Sequence, residues 1–225
     1  VRLDIADHLR NARRSINMGW LGNLLGSADS SVIQNGILGR GEITNLTMSG
    51  MTLQSGNGLV ERKCTISVNV YIDNVPMFPA TVVQRVQEIV IPQLSSGDAV
   101  VAVRVDPNDH TKVAIDFNSQ VPEVTLAANA DPKLTAAWLL ANGKPIKVVL
   151  VGDQPLGKKN PEGIEMYALQ LTVYEGVDTP YQAMVGNPVP ATALPLLFPG
   201  SKLNAKLGDQ PNAIVVDWAA GAATS

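Results

Sequence analysis

Between Thr65 and Ile72 the chain alternates: Ile66, Val68, Val70 and Ile72 fall on one side, and Thr65, Ser67, Asn69 and Tyr71 on the other. A period of two is the mark of a strand with one packed face and one wet face. Leu169, Leu171 and Val173 alternate with Gln170, Thr172 and Tyr174 in the same manner. Two further apolar runs, 100–105 and 113–117, flank Asp106-Pro107-Asn108-Asp109, whose residue types favour a turn and so predict a hairpin. Gly208-Asp209-Gln210-Pro211-Asn212 predicts a second hairpin, shorter by two residues, with Phe117 and Trp218 closing the two units.

Helical spacing occurs in three places. Leu3, Ile5, Leu9, Ala12, Ile16, Trp20 and Leu24 recur mostly every three or four residues, predicting an amphipathic helix over 3–26 that stops at Gly26. A short helix is expected next, capped by Asp29 or Ser30 and running through Val32, Ile33, Ile37 and Leu38 to Gly39. A third is expected from Pro132, capped by Asp131, with Leu134, Trp138 and Leu139 on one face and Gly143 as its stop.

These elements repeat. Sliding the chain by 103 residues brings Ile43 onto Ile146, Leu53 onto Leu156 and Val70-Tyr71 onto Val173-Tyr174. Ala80, Val82, Val86, Pro92, Leu94 and Gly97 then meet Ala183, Val185, Val189, Pro195, Leu197 and Gly200 without a gap. With a one-residue slip, Asp29 matches Asp131, Leu38 matches Leu140 and Gly41 matches Gly143. The expected fold is therefore mainly β: two tandem small barrels, OB-like or SH3-like, each preceded by a short helix, with the amphipathic helix in front. The expected boundaries are 1–27 for that helix, 28–118 and 131–218 for the barrels, 119–130 for a linker and 219–225 for a frayed tail.

Composition narrows the function. Only 16% of residues are charged, against about 25% in ordinary soluble domains. Low charge beside 19 Gly and 15 Pro suits a turn-rich β protein, and also a surface partly covered in an assembly. A net charge of -3 and sparse aromatics argue against nucleic acid. Cys64, the one cysteine, sits among Ile66 and Val68 and reads as a core residue. His8 reads as a solvated helix residue, and His110 as part of the Asp-Pro-Asn-Asp turn. That turn lacks the glycine and distal glutamate of a Ca²⁺ loop, so no metal site is expected. The glycines of 36–41 and 56–58 lack phosphate-loop and dinucleotide spacing and read as a helix stop and a hairpin turn. No nucleophile-base set stands out, so neither an enzyme nor a cofactor is expected.

Contact residues can still be nominated. Ile16, Trp20, Leu21, Leu24 and Leu25 form a strongly apolar helix end behind Arg10, Arg13 and Arg14. Such a segment fits a partner subunit, the chain's own barrel, or a membrane surface through residues 3–26. Tyr71 and Tyr174 are the repeated outward-facing aromatics. Asp4, Asp7 and the arginines interrupt any signal-peptide core, so a bacterial cytoplasmic location is expected, peripheral to the inner membrane if the helix lies on lipid.

The helix ending in Gly41, the step Pro92-Gln93-Leu94-Ser95-Ser96-Gly97 and the run Val103-Arg104-Val105-Asp106-Pro107-Asn108-Asp109 before Ile115-Asp116-Phe117 resemble a repeated domain of uncharacterised actinobacterial proteins. Leu139-Leu140 to Gly143, Pro195 to Gly200 and Ile214 to Trp218 carry the likeness in the second copy, without the Asp-Pro. The resemblance implies the repeated helix-plus-barrel architecture and brings no activity with it. The expected role is a structural or scaffolding protein that forms a homo-oligomer or joins a larger complex. The alternative is a binding module, at a membrane surface or holding a small apolar ligand between the units.

Overall fold

The computed structural model describes residues 30–54, 60–129 and 131–223. The helix over 3–26, with Ile16, Trp20, Leu21, Leu24 and Leu25, lies outside them, as do His8 and the turn at 56–58. The protein is mainly β and divides into two compact units, one ending at Leu126 and the other beginning at Ala127. Among the described residues no helix is long and apolar enough to cross a membrane.

The first unit opens with helix α1 (Ser30–Asn35), then strands β1 (Ile37–Gln54), β2 (Val60–Tyr71) and β3 (Phe78–Gln87). A 3₁₀ turn (Glu88–Val90) and helix α2 (Ile91–Leu94) follow, then β4 (Val100–Asp106), β5 (Asp109–Ile115) and the two-residue β6 (Val124–Thr125). The second unit begins with a 3₁₀ turn (Pro132–Leu134) and helix α3 (Ala136–Asn142), then β7 (Lys144–Lys159), β8 (Glu165–Glu175) and β9 (Tyr181–Pro188). After a 3₁₀ segment (Ala191–Leu196) come β10 (Lys202–Leu207), β11 (Ile214–Val216) and a last 3₁₀ turn (Trp218–Ala220).

The strands of the first unit pair in the order β3-β2-β1-β4-β5, and those of the second along β9-β8-β7-β10-β11. Every neighbour is antiparallel, so β3 and β5 run parallel to each other, as do β9 and β11. The first sheet curls until β3 lies beside β5, nearly closing a barrel. Inside sit Ile66, Val68, Val70, Ile72, Val82 and Val103, and in the second sheet Leu169, Leu171, Val173, Val185 and Leu203. The alternation of β2 and β8 is thus realised, with Thr65 exposed and Tyr71 and Tyr174 half-buried on the outer faces. Cys64 is fully buried in the first core, and burial raises its thiol pKa against the opposing pull of Arg62.

No ladder joins β3 to β5, and a buried amide side chain hydrogen-bonds across the gap. Gln84, 2% exposed, donates from Nε2 to the Ile115 carbonyl (3.1 Å) and accepts the Ile115 N–H on Oε1 (3.1 Å). Asn187, with no exposure, does the same work in the second unit. It donates to the Ile214 carbonyl (3.0 Å) and accepts the Val216 N–H (2.8 Å). Each amide thus satisfies backbone groups that the missing ladder would otherwise leave unpaired in an apolar interior.

Register shows where the sequence match slips. Ile43 stands opposite Val68, but it is Leu150, four residues past Ile146, that stands opposite Leu171. Ile43 donates its N–H to Ala99 and Leu150 to Ser201, each at 2.9 Å, which makes those two the equivalent positions. Matching Ile43 to Ile146, and Leu53 to Leu156 in the same strand, is therefore displaced: Ile146 pairs with Ala205 as Gly39 pairs with Val103. The helix match moves likewise. Gly36 donates to Val32 and Gly143 to Leu139, both at 2.8 Å, so Gly143 corresponds to Gly36 and not to Gly41. A Cβ at either would lie 2.4 Å and 2.6 Å from the helix carbonyl it closes on, so only glycine fits. Gly97 and Gly200 share another demand, with φ of +83° and +94°.

Other expectations are corrected by long-range pairing. The second helix stops at Asn35, because Ile37 and Leu38 are taken by the ladder to Val105 and Arg104. Gly39 and Gly41 lie inside β1, where a Cβ would meet Ile72 at 2.6 Å and Val103 at 2.7 Å, and are not a helix stop. The helix expected from Pro132 is two pieces: Asp131 caps the 3₁₀ turn through Lys133 N, and Thr135 caps α3 through Trp138 N. Only Leu139 of its expected face is buried. Residues 118–126 are strapped to the first unit, with Val124 buried and Thr125 bonded to Asp73 and Asn74. The tail is tied as far as Ala223, whose N–H reaches Lys202.

Replacing Gln84 or Asn187 by Ala strands two buried backbone groups and should cost about 2–4 kcal/mol. Amide exchange should accelerate first at Ile115 or Val216 respectively; a variant with unchanged exchange there and unchanged urea midpoint would show that the seam does not depend on the amide.

Candidate functional site

Near the seam, the turn into β3 and the start of β5 form an open groove of about 580 Å³. Val75, Pro76, Met77, Phe78, Pro79 and Ala80 make its apolar wall, while Thr81, His110 and Thr111 supply the polar groups. Phe78 and His110 stack, ring centroids 5.4 Å apart and planes 12° from parallel. Pro79 removes a donor from β3, so that edge offers an interrupted row of amides to an incoming strand. Met77 is 47% exposed, leaving thioether surface for a ligand.

At the position of Phe78 the second unit has Tyr181. Its hydroxyl donates to the Pro211 carbonyl (2.9 Å) of the shorter hairpin, tying β9 to that turn. Burial raises the pKa of Tyr181. Phe78 lacks the hydroxyl and meets a longer hairpin, so ring stacking replaces the hydrogen bond.

The polar cluster at the other end of β5 serves the fold. Arg104 donates from Nε to Asp116 Oδ2 (3.0 Å), and also reaches the Gly36 carbonyl and the Ser119 hydroxyl. Asp116 accepts the amides of Asn118 and Ser119 on its other oxygen. Burial pushes the Asp116 carboxyl up, but the bonds from Ser119, Arg104 and the two amides together hold it below the usual range. Every polar atom of this set is thus committed to tying α1, β4, β5 and the strap together. Asp217 repeats the capping role, accepting Ala220 N.

Of the nominated residues, Tyr71 donates its hydroxyl to Glu42 (3.2 Å), and Tyr174 lies on the outer face of β8. Asp106 accepts Asn108 N (2.8 Å) and so caps its own turn. Asp109 is held below the usual carboxylate range by the Thr111 hydroxyl and amide. Among the described residues no group of three or more His, Cys, Asp or Glu is placed to hold a metal. Sequence reasoning missed Phe78 as a site residue and took His110 as turn only. The available signal was the Phe78 to Tyr181 exchange at the 103-residue period, together with the longer first hairpin. No family model matches the chain, and no curated protein is significantly similar to it.

Asp116→Asn keeps the two amide bonds but loses the charge opposite Arg104, and should cost about 2 kcal/mol near neutral pH. Because the folded pKa is lowered, the wild-type advantage is complete above about pH 4 and is lost as pH falls through the folded value. The urea midpoints of the two proteins should draw together as pH falls below about 4; a gap that stays constant across that fall would refute the linkage.

Proposed function

We propose that the chain is a non-catalytic binding and scaffolding protein made of two copies of an OB-like barrel, the first of which holds an apolar group of a partner in its seam groove. The OB-like reading rests on strand order, on a parallel seam between the third and fifth strands, and on helical turns between the third and fourth. That both units place an amide at the same point of the seam supports copying of one module. The single observation that carries the binding role is the apolar groove, open in one unit where the other ties the same place with Tyr181.

Assembly is the second reading, favoured by exposed apolar side chains on strands of the second sheet. Met184 on β9 is 70% exposed and Val151 on β7 is 37% exposed. Membrane attachment and the cytoplasmic location remain proposals tied to residues 3–26.

A neutral apolar dye such as Nile red should perturb the amides of residues 75, 77, 78, 80, 81, 110 and 111 in the full chain. Met77→Glu, at an exposed position, should weaken that binding several-fold with little effect on stability. Dye that leaves those amides unmoved would remove the groove from consideration. For the assembly reading, light scattering should give a mass above one chain, and Met184→Lys should lower it; a monomer at all concentrations rejects it.

A further inference from the structure

The groove lies where the chain enters the first unit. Helix α1 leads through Gly36 into β1, and Arg104 of β4 donates to the Gly36 carbonyl (3.2 Å). In the sheet β4 separates β1 from β5, yet α1 packs on both β4 and β5. The helix therefore crosses from β5 over β4 to β1, with its first residue, Ser30, on the β5 side. The other flank of β5 is the seam, and its start carries His110 and Thr111 of the groove. Residues ahead of Ser30 thus reach the unit beside the groove wall.

The chain ahead of Ser30, outside the described residues, carries the apolar cluster Trp20, Leu21, Leu24 and Leu25, joined to α1 by Gly26-Ser27-Ala28-Asp29. Extended, that link spans about 17 Å. β5 has seven residues, so its far end is no more than about 17 Å from His110. In the second unit Tyr181 ties the seam at this place. Counting back from Gly143 as from Gly36 puts Ala127, Ala128, Asp131 and Pro132 where the first unit has Trp20, Leu21, Leu24 and Leu25. The apolar segment thus precedes the unit whose groove is open and is missing ahead of the one whose seam is tied. We propose that residues 20–25 dock in the seam groove of their own chain, with Trp20 and Leu24 against Met77 and the Phe78–His110 stack. Burial of apolar surface drives the docking, and the short link favours one chain over two by holding the segment at an effective concentration of about millimolar. This rests on the groove being a binding site, and it adds regulation: a partner's apolar group enters by displacing the chain's own segment.

The test follows amide chemical shifts at residues 75, 77, 78, 80, 81, 110 and 111 in the full chain. Trp20→Ser with Leu24→Ser should move those amides and leave the amides of the second unit in place. Nile red should bind this variant about tenfold tighter than the wild-type protein, because the competing segment is gone. A peptide of residues 16–25, added to the variant, should return the shifts toward their wild-type values. Wild-type shifts that stay constant between about 10 and 300 μM protein support docking within one chain; shifts that change with concentration would assign it to a second copy and overturn the proposal. Groove amides unmoved by the substitutions, with Nile red bound there equally by both proteins, would overturn self-docking while leaving the groove as a site. Nile red that moves these amides in neither protein would overturn both.

Discussion

Closing a five-stranded sheet on itself leaves one seam, and here the seam joins two parallel strands that share no backbone ladder. Everything else in each unit depends on how that edge is satisfied. A buried row of unpaired N–H and C=O groups would oppose the hydrophobic gain of the interior, because each stranded group costs on the order of 1–3 kcal/mol. The amides of Gln84 and Asn187 meet this constraint with a donor and an acceptor on one planar group. A carboxylate or an alkyl chain of similar size offers only one of those functions, or neither. The two solutions differ in reach: Gln84 engages both groups of Ile115, while the shorter Asn187 bridges Ile214 and Val216.

The groove follows from the same seam. Where the amide holds, β3 and β5 are kept together. Toward the start of both strands the contact passes to the side chains of Phe78 and His110. In the second unit a hydroxyl and a shorter hairpin bring β9 to its turn at this place. One oxygen atom and two residues of hairpin length thus separate a tied seam from an open groove. Such differences alter a surface without disturbing the core, and function commonly diverges there between copies of a fold.

Much of the architecture was legible. Period-two alternation identified β2 and β8 and their buried faces, because a side-chain direction repeated every second residue does not depend on the partner strand. The hairpins around 106–109 and 208–212 were legible from turn chemistry, which is local. Less legible was β1, whose glycines at 39 and 41 read as breakers of a helix. They are strand residues because Ile72 and Val103 leave no room for a Cβ, a fact of contacts more than thirty residues away. The candidate site was scarcely legible: His110 was seen only within its turn, and nothing local marks Phe78 as its stacking partner.

What the sequence alone determined is a β-rich chain, with buried faces assigned by alternation and turns assigned by Pro, Gly, Asn and Asp. These depend on residue type and spacing along the chain. Only the tertiary structure decided the register of β1 against β2 and β4, the four-residue offset of β7, the seam amides and the groove. Those depend on which backbone groups meet across the sheet. Hydrogen-bond satisfaction between distant strands, and not local preference, chooses among registers that the pattern of apolar residues leaves nearly equal.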